Sequence, residues 1–174
     1  MCFDFSEKIR TVSNFPHEGI QFIDITTLLK DGNAFHMAID SLAKVFQDKD
    51  IDIVVGPEAR GFAVGAPVAY ALGAGFVPVR KPGKLPAETL RLEYSLEYGK
   101  DVLEIHKDAI EPGNKVLIVD DLLATGGTTL ATVKMVEILG GKVVGLAFLI
   151  ELEFLHGRQV LPGYDITSLV KYSD

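Results

Sequence analysis

Val116-Leu117-Ile118-Val119-Asp120-Asp121-Leu122-Leu123-Ala124-Thr125-Gly126-Gly127-Thr128-Thr129 reads as a strand, an acid pair, a turn and the start of a helix in direct succession. Four apolar residues in a row suit a strand buried on both faces. Two adjacent acids stand at its end, and small and hydroxyl-bearing residues follow. In an open α/β sheet, ligands bind at the carboxyl ends of the strands. The free N–H groups of a helix N-terminus favour a phosphate. The stretch therefore offers a phosphate cradle beside paired carboxylates. A sugar phosphate fits it, with the phosphate on the loop and the diol donating to the acids. Gly126 and Gly127 permit positive φ and close backbone approach, and Thr125, Thr128 and Thr129 add hydroxyl donors. The competing readings are an ordinary strand–turn–helix with a Thr cap, and a metal-binding Asp pair as in a nucleotide hydrolase. The second needs a G-x-x-x-x-G-K-[ST] loop, which the chain lacks, and no G-x-G-x-x-G follows a strand.

Outward from this run, strands alternate with helices. Residues 6–13 read as a short helix with Ser6 as its cap, and residues 14–19, with Pro16 and Gly19, as a loop. Residues 19–26 form a short extended segment. Phe35, Ile39, Leu42, Ala43 and Phe46 recur at helical spacing within residues 33–49. Residues 51–55 read as a buried strand that ends in a turn at 56–61, before an Ala-rich helix through Leu72. Residues 75–79 are the next strand. Residues 89–106 alternate without a helical stripe and suit a β-ribbon or a two-armed loop. The central run begins its strand at Lys115, and its helix spans residues 127–139, stopped by Gly140-Gly141. An apolar strand at 142–151, a short helix and a last strand near 166–170 complete the chain. This alternation implies an α/β fold with a parallel sheet and right-handed crossovers.

The 174 residues suit a single domain, 1–174. A composition 48% hydrophobic and 24% charged is that of a globular protein. The net charge of −7 argues against nucleic acid as a partner, since phosphate-backbone affinity needs clustered Lys and Arg. An anionic substrate must instead meet a local basic patch. One cysteine, Cys2, allows no internal disulfide and suits a reducing, cytoplasmic location. No stretch has the length of a membrane span, and no cationic segment leads an apolar one, so no membrane partner is expected. His17, His36, His106 and His156 have no metal-site spacing, so no protein metal site is expected.

A second anion loop stands at Pro57-Glu58-Ala59-Arg60-Gly61, where backbone amides at a helix start could face a diphosphate. The planar fork of Arg60 suits phosphate oxygens, although a surface salt bridge is the plainer alternative. Arg80, Lys81 and Lys84 follow another strand and supply the basic patch, unless they form only a solvated turn. In Tyr94-Ser95-Leu96-Glu97-Tyr98-Gly99-Lys100, the pattern alone makes Glu97 a solvated carboxylate and both tyrosines loop-packing aromatics. Phe22 reads equally as a core ring or as a flat surface for stacking.

The run at 116–129 resembles the phosphoribosyl diphosphate (PRPP) signature of the type I phosphoribosyltransferase family. That resemblance implies that Asp120 and Asp121 hold the ribose hydroxyls, while Ala124, Thr125, Gly126, Gly127 and Thr128 wrap the 5′-phosphate. It implies a mostly parallel central sheet flanked by helices, a small hood built from about residues 1–32 and the C-terminal segment, and a flexible β-ribbon loop. Glu58, Ala59 and Arg60 then hold diphosphate, with Arg80, Lys81 and Lys84, and a strained or cis peptide is expected at Glu58–Ala59. Ser95-Leu96-Glu97-Tyr98-Gly99 resembles the catalytic loop of the adenine-using members, where the acid manages the purine proton and Lys100 can reach the leaving diphosphate. Glu97 and Arg60 become the catalytic residues. Gly19-Ile20-Gln21-Phe22-Ile23-Asp24-Ile25 resembles their base-binding segment, with Phe22 stacked on the purine and the backbones of Gln21 and Ile23 at its edge. Leu152-Glu153-Phe154-Leu155-His156-Gly157-Arg158 extends the match. The implied reaction is purine salvage, adenine plus PRPP giving AMP and diphosphate, with Mg²⁺ held mainly by the diphosphate and water. A homodimer is also implied. The alternatives are transfer to xanthine or hypoxanthine, for which related enzymes place a Lys near the base edge, and a non-catalytic PRPP-sensing regulator. A regulator of that kind carries an added basic domain, for which this chain has no length.

Overall fold

A five-stranded parallel sheet in the order β4-β3-β7-β8-β9 forms the centre of the computed structural model, which describes residues 3–96 and 99–173. Its strands are β3 (Ile53–Pro57), β4 (Gly75–Val79), β7 (Lys115–Leu123), β8 (Lys142–Leu152) and β9 (Ile166–Tyr172). The helices are α1 (Thr26–Lys30), α2 (Gly32–Phe46), α3 (Arg60–Leu72) and α4 (Gly127–Ile138). Two antiparallel pairs stand outside the sheet. One is β1 (Arg10–Ser13) with β2 (Gln21–Asp24), and the other is the ribbon of β5 (Thr89–Leu96) and β6 (Gly99–His106). No helix among the described residues is long and apolar enough to cross a membrane.

Strand periodicity divides the core. Along β7, Leu117 and Val119 join Val54, Leu42, Phe46, Val64 and Val68 on the α2–α3 face. Val116 and Ile118 join Val133, Met135, Phe148 and the ribbon residues Leu103 and Ile105 on the α4 face. A strand flanked on both sides and covered on both faces has no room for polar side chains, which is why 116–119 are uniformly apolar.

Three local expectations are corrected. Residues 6–13 are not a helix. Phe5–Lys8 forms a 3-10 turn capped by Asp4, whose carboxylate accepts from the Ser6 amide at 2.9 Å, and the chain then enters β1. Pairing of Thr11 with Ile23 and Val12 with Phe22 overrides the weak local helical preference. Asp24 ties this hairpin to α1: it receives Arg10 and, at 2.9 Å each, the amide and hydroxyl of Thr26. The Arg10 bond, helped by those from Thr26, lowers its carboxyl to about 2. Second, β3 lies two residues later than expected. Third, β7 runs through both acids to Leu123, because β8 continues to pair with it as far as Leu123↔Glu151.

Phe148 on β8 is fully buried within the α4-face core. Phe148→Ala is expected to lower unfolding free energy by about 3–5 kcal/mol through lost burial and the cavity left behind. Urea denaturation monitored by circular dichroism reads this directly. A loss under about 1 kcal/mol would mean that the two-faced core collapses around the gap.

Candidate functional site

The carboxyl ends of β3 and β7 converge because the two strands are sheet neighbours, with Val55 opposite Ile118. Each runs into a helix, β3 into α3 and β7 into α4. A cleft of about 230 Å³ lies between these exits, walled by residues 58–60, 120–122 and 124–129. The two loops singled out from the sequence thus form one site.

Asp121 is only 4% exposed. Its Oδ2 lies 2.9 Å from Arg60 Nε, yet no aligned hydrogen bond reaches that buried oxygen. It therefore remains an acceptor in search of a donor. Asp120 is packed round by protein but opens on the cleft, and its Oδ1 accepts from the Asp121 amide at 2.8 Å. Burial, followed by the charge of Asp121, pushes the Asp120 carboxyl well above the ordinary range. Burial also raises Asp121, against the opposing pull of Arg60.

Beyond the acids, residues 124–126 turn into α4, whose N-cap, Gly126, adopts φ 82°. That left-handed conformation favours glycine. No acid occupies the first turn of α4, so its free amides and dipole present a positive end to the cleft. Across the cleft, the Glu58–Ala59 peptide is cis, as expected, and α3 starts at Arg60.

Charge distribution here departs from a simple basic patch. Arg80 Nε donates to Glu58 Oε2 at 2.8 Å, and Lys84 donates to the other oxygen of the same carboxylate. Lys81 pairs with Asp101 of β6. Arg80, Lys81 and Lys84 do not line the cleft; Arg80 and Lys84 reach it through Glu58, which does. Burial acts to raise the Glu58 carboxyl, but the bonds from Lys84 and Arg80 outweigh it and hold the group below its usual range. What Glu58 and Ala59 can offer an anion is backbone, since the Glu58 side chain is already occupied by these cations.

Phe22 faces the site, with the Arg60 guanidinium 5.2 Å from its ring centroid and Phe15 edge-on at 5.1 Å. Gln21 and Ile23, its neighbours on β2, turn the other way. They line a separate apolar cavity of about 530 Å³ with Leu152, Leu155 and Tyr172. Among the described residues no third strand joins the β1–β2 sheet, so one edge of β2 takes no part in a ladder. Glu97 and Tyr98 lie outside the described residues, as do Cys2 and the side chain of Lys100.

Thr129, read from the sequence as a hydroxyl donor, lines the cleft, and two residues escaped that reading, of which Leu122 also lines it. The signal for Leu122 was its place directly after the acids in a strand that runs on. The other is Tyr94, by pattern a packing aromatic, whose hydroxyl lies 3.2 Å from Thr128 Oγ1 and donates to Asp101 at 3.3 Å. It links the ribbon to the first turn of α4. Among the described residues, no group of three or more His, Cys, Asp or Glu side chains could hold a metal ion.

Residues 26–165 match the model of the phosphoribosyl transferase domain family. An adenine phosphoribosyltransferase of Alkaliphilus oremlandii is 66% identical over 169 residues, covering 97% of this chain and 98% of its own. A solved adenine phosphoribosyltransferase from Thermoanaerobacter pseudethanolicus superposes with a TM-score of 0.94 at 60% identity, covering 97% of this chain and 98% of that one. A Saccharomyces cerevisiae enzyme of the same name, complexed with an imino-altritol bisphosphate and adenine, gives 0.89 at 42% identity over 95% and 96%.

The raised acids set a stability prediction. The folded chain holds their protons more tightly than the unfolded chain does, so unfolding free energy falls as pH rises from the ordinary aspartate value through the raised one. Asp120→Asn, which keeps an acceptor for the Asp121 amide, is expected to melt higher at neutral pH than the parent. Each kcal/mol of relief gives roughly 2–4 °C in a domain of this size. Differential scanning calorimetry from pH 5 to pH 8 checks it; an unchanged or lower midpoint would contradict the charge penalty.

Proposed function

The chain belongs to the phosphoribosyl transferase family, and from that premise we infer how its residues divide the work of transfer. The reaction is transfer of the 5-phosphoribosyl group of PRPP to adenine, giving AMP and diphosphate. The observation that carries the residue assignment is the single cleft in which the Gly126 loop, the acid pair and Arg60 meet beneath Phe22.

Residues 124–128 take the 5′-phosphate on the amides at the start of α4. Asp120 and Asp121 accept from the ribose hydroxyls, and their place in the cleft wall beside the 124–129 turn supports that role. As the C1′–O bond breaks, its electron pair leaves with diphosphate and positive charge grows on the ribose ring, as in glycoside chemistry. The acids lie beside that charge. Arg60 and the amides of 58–60 neutralise the departing diphosphate, with Arg80, Lys81 and Lys84 behind them. Phe22 stacks on adenine, and backbone groups of Gln21 and Ile23 read its edge. Positioning of this kind is worth roughly 7–11 kcal/mol in favourable cases. Glu97 takes the proton that the purine nitrogen loses as the new C–N bond forms.

The protein's donor set suits a metal shared with substrate rather than a closed protein cage, since no three-ligand cluster exists among the described residues. Mg²⁺, when bound, neutralises charge on the diphosphate. The hood of about residues 1–32 with the C-terminal segment, a single domain spanning 1–174, a homodimer and a cytoplasmic location complete the proposal.

Mixing the protein with PRPP, Mg²⁺ and each purine in turn should release diphosphate with adenine far faster than with hypoxanthine or xanthine. Preference for a 6-oxopurine would overturn the base assignment, and PRPP binding without turnover would indicate a sensor. Glu97→Ala is expected to reduce kcat much more than PRPP affinity, whereas equal losses would make the residue a binder only. The double variant Asp120→Ala with Asp121→Ala should bind no PRPP in a calorimetric titration; retained affinity would sink the ribose assignment.

A further inference from the structure

The motif at 152–158 contributes no residue to the walls of the cleft, yet it touches the phosphate loop from behind. It folds as two short 3-10 turns, Glu153–Leu155 and Gly157–Val160, joined at His156 with φ 55°. This reversal presses Gly157 on the loop. A Cβ at Gly157 would stand 2.3 Å from the Ala124 carbonyl oxygen. A Cβ at Gly126 would stand 2.6 Å from Val160 Cγ2 and 2.7 Å from the Gly157 carbonyl oxygen. Backbone therefore lies close on backbone, with the Val160 and Leu123 side chains packed around the contact, so little room is left for an error in placement.

The next residue holds that contact. Arg158 donates to Glu151 through both prongs of its fork, Nε to Oε1 at 2.5 Å and Nη2 to Oε2 at 2.7 Å. Its Nη1 donates to the Ile166 carbonyl at 3.3 Å. Glu151, on β8, is 3% exposed and also accepts from Ser168 Oγ of β9 at 2.7 Å. Burial works to raise the Glu151 carboxyl, but the bonds from Arg158 and Ser168 prevail and keep it ionised. A two-pronged pair fixes orientation as well as distance. The loop it governs is thus referenced to the rigid sheet.

We infer that Glu151 and Arg158 are positioning residues that set the curvature of the 5′-phosphate loop by pinning Gly157 against Ala124 and Gly126. The inference rests on the reading of residues 124–128 as the phosphate site. A pair with a merely structural role would weaken the whole fold and affect both substrates alike. A positioning clamp instead penalises the phosphorylated substrate selectively.

The test compares Gly157→Ala, Arg158→Ala and Arg158→Lys with the parent by steady-state kinetics, AMP titration calorimetry and thermal melts. KM for PRPP and Kd for AMP should rise about tenfold or more in the two alanine variants. KM for adenine should stay within about twofold. Arg158→Lys, which keeps the charge and loses the fork, should fall between parent and Arg158→Ala. If Gly157→Ala does not fold, the two Arg158 variants decide the matter alone. Equal rises in both KM values, or unchanged PRPP and AMP affinity in the folded variants, would overturn the inference. A parent protein that turned over no PRPP and bound no AMP would overturn the phosphate-site reading itself, and this inference with it.

Discussion

The Arg60–Asp121 contact joins the two halves of the site, and most of what surrounds it follows from the cost of that contact. β7 has neighbours on both edges and apolar cover on both faces, so its exit is a poor place for charge. Two successive carboxylates nevertheless stand there. Taking an ion out of water costs several kcal/mol even after relaxation, and one guanidinium 40% exposed offsets only part of it. The remainder is stored as raised proton affinity and one buried oxygen without an aligned donor.

Cations around the cleft follow a related logic. In a chain of net charge −7, four described basic groups near the site already have acidic partners: Arg60 has Asp121, Arg80 and Lys84 share Glu58, and Lys81 has Asp101. These pairs orient the cations before an anion arrives, which reduces the side-chain ordering cost of binding. They also oppose it, because any incoming anion has to compete with carboxylates for the same donors. Lys81 and Tyr94 carry this arrangement into the ribbon, since both contact Asp101 while Tyr94 reaches Thr128. Ribbon, basic turn and the start of α4 are therefore one connected polar system, in which a change at one member alters the partners available to the next.

Legibility in the sequence tracked the range of the forces involved. β4 and the ribbon were readable to within a residue, because strand alternation and Gly or Pro punctuation are local signals. The loop at 124–128 was readable for the same reason, with hydroxyls and glycines at the mouth of an apolar strand. β1 was misread as helix because only its pairing with β2 makes it a strand. The end of β7 was placed too early because its last residues are held by β8, not by their own apolarity. Phe22, Gln21 and Ile23 are neighbours on β2, and a period of two sends the ring of the first to Arg60 and the side chains of the others to a different cavity.

By itself the order of residues determined that apolar strands alternate with helices, that two of the strands end in short turns that open helices, and that an acid pair adjoins one of them. Only the folded chain decided which charges meet. Arg80 finds Glu58, Lys81 finds Asp101 and Tyr94 finds Thr128, pairs separated by 22, 20 and 34 positions. The physical reason is that periodicity and turn chemistry act over a few neighbouring residues. Ion pairing, burial and backbone-on-backbone contact depend instead on which strands the sheet sets side by side.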